Sequence, residues 1–154
     1  MLNALHRSCW AVAMCASVLA ASFADAQSTW AGRKLAAGEF FSAQLAADGT
    51  VWSWGENTNG ELGDGTVLNR SLPTLAIGLA NVTSISAGNN HMLALTTGGD
   101  VYAWGANDDG QLASNRTARL EVRPLKVSAL TQVAAVSAYG STSAAVAGGN
   151  VWLW

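Results

Sequence analysis

A chain of 154 residues that is 50% hydrophobic and only 12% charged has the makeup of a folded globular protein, with room for one domain of ordinary size. Its net charge is −2 and its longest basic run is the Arg33-Lys34 pair. Nucleic acid and anionic membrane are poor ligands for such a surface, because both require a basic footprint that neutralises phosphates.

The first 26 residues stand apart. They carry one basic side chain with a fixed charge, Arg7, then an apolar run from Cys9 to Ala21, then small residues ending Ala24-Asp25-Ala26. This is the layout of a secretory signal peptide with an A-x-A cleavage site, which makes Gln27 the expected mature N-terminus and places the product outside the cell or in a periplasm. An uncleaved anchor is the other reading, but the run falls short of the ~20 apolar residues that span a bilayer. Both cysteines, Cys9 and Cys15, lie in the segment to be removed. The mature chain would then have no disulfide, no cysteine-based metal site and no thiol nucleophile.

Residues 27–37 read as a lead-in without periodicity, in which Trp30 is free to pack on the first repeat. From Gly38 a pattern begins. Phe40 to Leu45 runs into Asp48-Gly49, then Val51-Trp52-Ser53-Trp54-Gly55; fifty residues later Asn90 to Leu95 runs into Gly98-Gly99, then Val101-Tyr102-Ala103-Trp104-Gly105. A third copy closes with Val151-Trp152-Leu153-Trp154. Self-similarity at a fixed period of this size marks a repeat architecture. Each copy reads as a β-hairpin: Leu93 and Leu95 alternate with Met92 and Ala94, and the Asp-Gly and Gly-Gly pairs suit tight two-residue turns. Trp52 and Trp54 then share one face of their strand, a pair of large rings that needs cover from a neighbouring sheet.

After each hairpin comes Asn57-Thr58-Asn59-Gly60-Glu61-Leu62-Gly63, matched by Asn107-Asp108-Asp109-Gly110-Gln111-Leu112-Ala113. The Asn-x-x-Gly spacing sets a turn. Longer loops reach Pro73 and Pro124, the only prolines, which stand fifty-one apart and so imply a one-residue insertion in the second loop. Each proline is expected at a strand entrance, followed by Thr74 to Ile77 and Val82 to Ser86 in one copy and Leu125 to Val127 and Val133 to Ser137 in the next. The third copy is looser. Ala138-Tyr139-Gly140 replaces a simple Ala-Gly, and the turn at Gly148-Gly149-Asn150 has lost one residue.

These motifs resemble the regulator of chromosome condensation type repeat. Its pattern of a hydrophobic-aromatic-x-Trp-Gly strand, Asn-x-x-Gly-Gln-Leu-Gly, a proline and Ala-Gly-x-x-His-x-x-Ala-Leu is met by Val101 to Gly105, Asn107 to Leu112, Pro124 and Ala87 to Leu95. Departures are Ala113 for a glycine, Asn115 at the position of Gly65, Glu61 for a glutamine, and Phe41 and Thr142 as counterparts of His91. The resemblance implies an all-β, seven-bladed propeller of four-stranded blades, here two full repeats and the start of a third over 38–154. It reads as a secreted, bacterial-like and incomplete member, whose ring would need blades from a longer chain or from other copies. Lateral faces left uncovered would expose tryptophan and leucine.

Several residues invite more specific chemistry. The five tryptophans of the phrase could stack on sugars, but their period favours packing between blades. His91, the only histidine after residue 26, could serve as a general base; without a partner in sequence, and at a position where the family carries histidine, it reads as structural. Asn107 to Gly110 lacks the ligand series of a calcium loop, and Gly98-Gly99 and Gly148-Gly149 open no helix and cradle no phosphate. Sequons at Asn69, Asn81 and Asn115 matter only in a eukaryotic secretory path. No catalytic, cofactor-binding or metal-binding residue is expected.

Function is therefore expected in the loops 56–61, 64–72, 107–109 and 114–123, which can vary without harming blades. Glu56, Asn57, Asn59, Arg70, Asn107, Asp108, Asp109 and Arg119 are the candidate contacts to a protein or surface ligand. Family members act in nucleotide exchange on a nuclear GTPase, which clashes with a signal peptide, and a secreted relative inhibits β-lactamases, for which no transferable contact residues are visible here. A propeller enzyme with its catalytic groups beyond residue 154, or a purely structural cell-envelope repeat protein, are the competing readings.

Overall fold

The computed structural model describes residues 34–114 and 118–154. The segment 1–26 expected to be a signal peptide, residues 27–33 of the lead-in with Trp30, and the sequon at Asn115 lie outside them. Among the described residues there are eleven strands and no helix. β1 (Leu35–Ala37), β2 (Phe41–Leu45), β3 (Val51–Gly55) and β4 (Arg70–Leu75) form one antiparallel sheet in chain order. β5 (Val82–Ala87), β6 (His91–Thr96), β7 (Val101–Ala106) and β8 (Leu120–Lys126) form the second. β9 (Val133–Tyr139), β10 (Thr142–Ala147) and β11 (Asn150–Leu153) form a three-stranded third. The sheets are three successive blades that do not close into a ring. Strand β1 falls in the stretch that shows no sequence periodicity, so the first blade takes in Leu35–Ala37 ahead of Gly38.

The period-two alternation gives each sheet two apolar faces, and the faces meet as seams. Phe41, Ala43, Leu45 and Val51 of the first blade pack with Val82, Ile85, Met92, Ala94 and Trp104 of the second. Leu93, Leu95, Val101 and Ala103 of the second pack with Val133, Ala145, Ala147 and Trp154 of the third. Fully burying one such side chain stabilises by about 1.5–3 kcal/mol, so the seams are the cores of the molecule. The first strands of the blades stand side by side, β1 against β5 and β5 against β9. At the two ends of the arc Leu35, Leu72, Val151 and Leu153 stay exposed.

The hairpin turns differ from the two-residue expectation in the first two blades. Leu45 pairs Val51, and the intervening chain forms a three-residue turn with Gly49 in the left-handed region (φ 81°) and a bond from Gly49 N–H to Ala46 O. The second blade repeats this with Gly99 (φ 76°) and Thr96 O. A type I turn followed by a left-handed glycine is the ordinary three-residue hairpin. In the third blade the missing residue changes the turn type: Ala147 pairs Asn150, and Gly148 (φ 57°) and Gly149 (φ 78°) form the two-residue turn with both centres left-handed.

The prolines are also placed differently from the expectation. Pro73 sits inside β4 and Pro124 inside β8, not at a strand entrance. Each of these is the outermost strand of its sheet, where one row of backbone groups faces away from the ladder and a missing N–H breaks no pairing.

Candidate protein-interaction face

Each blade runs as an antiparallel meander, so the turn after its first strand and the loop after its third strand fall at the same end. Two main-chain bonds tie them: Glu56 N–H to Phe40 O at 2.9 Å, and Ala106 N–H to Asn90 O at 2.8 Å. All eight candidate contact residues lie in or beside these loops.

Asn57 is buried completely and organises the first long loop. Its Oδ1 accepts from Leu62 N–H at 2.9 Å, while its Nδ2 donates to Thr66 O and Leu68 O at 3.1 Å each and lies 3.3 Å from Asp64 Oδ1. Asn57, expected among the displayed contacts, is thus placed inside the loop, its amide consumed in holding it. Asn59 does related work, donating through its backbone N–H and its Nδ2 to the buried carboxylate of Glu61 at 2.9 and 2.8 Å. The candidate Arg70 donates from Nε to Asp64 Oδ2 at 2.9 Å, with its NH2 nitrogen 2.8 Å from the same oxygen. Burial pushes the Asp64 carboxyl up, but hydrogen bonds from the Thr66 hydroxyl and Arg70, the Thr66 N–H and the Arg70 charge outweigh it and hold the group below 3.8.

The second loop copies the first. Half-buried Asn107 accepts from Leu112 N–H at 3.2 Å and donates to Ser114 Oγ and Ala118 O. Gln111 Oε1 takes the N–H of Asp109 at 3.0 Å, as Glu61 takes that of Asn59. Arg119 Nε lies 2.6 Å from Asp108 Oδ1, and both side chains are exposed. Of the eight candidates, Asp108, Asp109 and Arg119 are thus displayed to solvent and Glu56 is half-buried, while Asn57, Asn59, Arg70 and Asn107 serve mainly to hold the loops.

Sequence reasoning missed the shorter turns at the same end. Glu39 N–H donates to Asn89 O at 3.0 Å and Asn89 N–H to Gly140 O at 2.8 Å, so the inner turns of three blades are laced into one rim. They line a concavity of about 350 Å³ with Glu39, Asn89 and Tyr139 at its edge. Phe40 is 65% exposed beside it and Tyr139 is 87% exposed. The one signal was Tyr139 standing where the other copies carry Gly38 and Gly88.

His91 lies beneath this rim and has no access to it. Its Nε2 is 2.9 Å from Ser143 Oγ, whose hydroxyl donates to Gln111 O at 2.8 Å. The serine proton being committed, the imidazole donates from Nε2 and is neutral. Burial holds its pKa down at about 4, and Nδ1 has no hydrogen-bond partner. A fully buried histidine spent on a seam matches the structural reading.

The tryptophans divide by neighbour. Trp104 is wholly buried and donates from Nε1 to Glu61 O at 2.8 Å; Trp154 does the same to Gln111 O at 2.8 Å. Trp52 and Trp152, on which the same packing was expected, remain 39% and 50% exposed. Among the described residues no group of three His, Cys, Asp or Glu is arranged to hold a metal ion, and no helix is long and apolar enough to cross a membrane.

Similarity to known proteins runs over the same blades. A 63-residue stretch covering 40% of this chain is 41% identical to human E3 ubiquitin-protein ligase HERC2, of which it spans 1%. Among solved structures, human WBSCR16 superposes with a TM-score of 0.71 at 27% identity, over 79% of this chain and 32% of that one. Yeast RCC1 (Prp20), in a structure with Kap60, gives 0.64 at 26% identity, over 77% of this chain and 28% of that one. The chain therefore spans about a third or less of each of these three proteins. The family model of the regulator of chromosome condensation (RCC1) repeat matches residues 48–95 and 98–146, and a second model of the same repeat matches 33–61 and 82–111. With more than half of its length so matched and its blades arranged in the same way, this chain belongs to the RCC1 repeat family.

Proposed function

We propose that this protein is an exported, non-catalytic protein-binding module that meets its partner through the end of the blades carrying the inner turns and the long loops. The observation that carries the reading is the convergence of three inner turns and two hydrogen-bonded loops on one rigid end, with Phe40, Tyr139, Asp108 and Arg119 displayed from it. Displayed side chains on a scaffold that needs no ordering bind at low entropic cost. The similar Prp20 propeller has been solved bound to a protein, Kap60. Export rests on Arg7, the apolar run and Ala24-Asp25-Ala26.

Affinity capture with the full chain, from the medium or envelope of its host, tests the surface. A partner should be retained by the parent and by Asp48→Asn, at the opposite end, but lost with the combined Phe40→Ser, Glu56→Gln and Asp108→Asn variant. Equal retention by all three would overturn the assignment of the face. Fractionation and terminal sequencing should recover the product outside the cytoplasm and beginning at Gln27; recovery in the cytoplasm alone, with the first 26 residues retained, would remove the export reading.

A further inference from the structure

Taking that end of the blades as the protein-binding surface, we propose that the concavity between the inner turns receives the basic side chains of an extended Arg- or Lys-bearing segment of a partner protein. Tyr139 supplies a stacking face and Glu39 the counter-charge. The argument starts from what these two residues are not needed for. In the other blades the position of Tyr139 is glycine (Gly38, Gly88), where an added Cβ would meet the main chain of the next blade's inner turn, Asn89 O at 2.7 Å and Gly140 O at 2.6 Å. Tyr139 stands on the last blade described, with no such neighbour, and its ring is 87% exposed. Glu39 is anchored through its main chain to Asn89 O, and no described side chain neutralises its carboxylate.

Acidic groups also stand at this end. Glu56 and Asp109 lie in the neighbouring loops; of the basic groups described there, Arg70 and Arg119 are engaged by Asp64 and Asp108, and Arg123 packs beside Gly65 of the first long loop. Arg116 lies outside the described residues. A concavity edged by a carboxylate and an aromatic face fits a guanidinium or ammonium group, which gains from both. Its volume of about 350 Å³ admits one or two side chains and not a folded domain, which is why the occupant is an extended segment.

The test is fluorescence anisotropy with labelled peptides of alternating Arg and Gly, Lys and Gly, or Glu and Gly, on the full chain at low salt. Saturable binding of the Arg peptide, weakened at least tenfold in Glu39→Gln and in Tyr139→Ala and unchanged in Asp48→Asn, supports the proposal. All variants are checked for unaltered far-UV spectra and melting, and Tyr139→Phe should bind like the parent. Equal weakening by Asp48→Asn would reduce the effect to net charge and overturn it, as would binding of the Glu peptide or absence of Arg-peptide binding. A partner captured through this face by a chain that ignores the Arg peptide would refute the proposal while leaving the protein-binding reading intact.

Discussion

Trp104 of the second blade donates its indole N–H to the main-chain oxygen of Glu61 in the first, at 2.8 Å, and both groups are buried. Trp154 makes the same bond to Gln111 fifty residues on. The shared spacing of forty-three residues within each pair means that one blade's strand reads the previous blade's loop, so loop and seam are one unit. Trp104→Phe keeps most of the ring but leaves Glu61 O without its donor. It is expected to cost about 1–3 kcal/mol, and Trp104→Ala about 3–5 kcal/mol. Chemical denaturation measures both; a Phe variant as stable as the parent would show that the bond contributes nothing net.

Gly63 and Ala113 hold the same place in their loops, and both are left-handed, with φ of 67° and 46°. At Gly63 an added Cβ would lie 2.8 Å from Trp104 Nε1, so Gly63→Ala should destabilise through both strain and a displaced ring. Ala113 already carries that strain. Ala113→Gly is expected to stabilise by about 1 kcal/mol, since an L-residue in this region costs roughly 1–2 kcal/mol and glycine returns part of that as chain entropy. A rise in melting temperature for Ala113→Gly and a fall for Gly63→Ala is the expected pair of results, and the reverse order would contradict the backbone argument.

Asn57 predicts a separation of loop order from global stability. Asn57→Ala removes the acceptor for Leu62 N–H and the donor to Thr66 O and Leu68 O. The orphaned N–H of buried Leu62 costs about 1–3 kcal/mol, and the oxygens of half-buried Thr66 and exposed Leu68 cost less because water reaches them. Amide exchange should accelerate at Leu62 and Leu68 far more than at Ala94 in the adjacent strand β6. Uniform acceleration would mean that the loop does not open on its own.

Much of this fold was legible because its repeat is written in large side chains. The Val-aromatic-x-Trp-Gly phrase placed β3 and β7, and the residue lost before Asn150 announced the change of turn in the third blade. Less visible was what depends on a neighbour. Trp54 and Trp104 hold the same place in the phrase, yet the first is half-buried and the second wholly buried, because burial is decided by the adjoining blade. Asn57 read as a displayed polar group for a similar reason: only the folded loop shows that five backbone and side-chain groups converge on its amide. The rim of inner turns had no signal beyond Tyr139, since its geometry comes from main-chain bonds between residues fifty apart.

His91 gives the seam between the second and third blades a dependence on pH. Its folded pKa is held down at about 4 by burial, against 6.5 for an exposed histidine. The unfolded chain therefore takes up a proton as the pH falls through 6.5, while the folded chain resists until about 4. Stability contributed by the neutral ring is full above pH 7 and is lost on acidification through that window, by about 2 kcal/mol at pH 5. The basis is local: Nε2 is bonded to Ser143 Oγ, and Nδ1 has no partner to accept a charge-assisted bond. His91→Phe places at this site the residue that Phe41 supplies in the first blade and leaves Ser143 Oγ bonded to Gln111 O. Its denaturation midpoint should change little between pH 7 and pH 5, whereas that of the parent falls. A parent curve as flat as the variant's over that range would show that the ring is hydrated or partnered in solution and that the seam is not its site of titration.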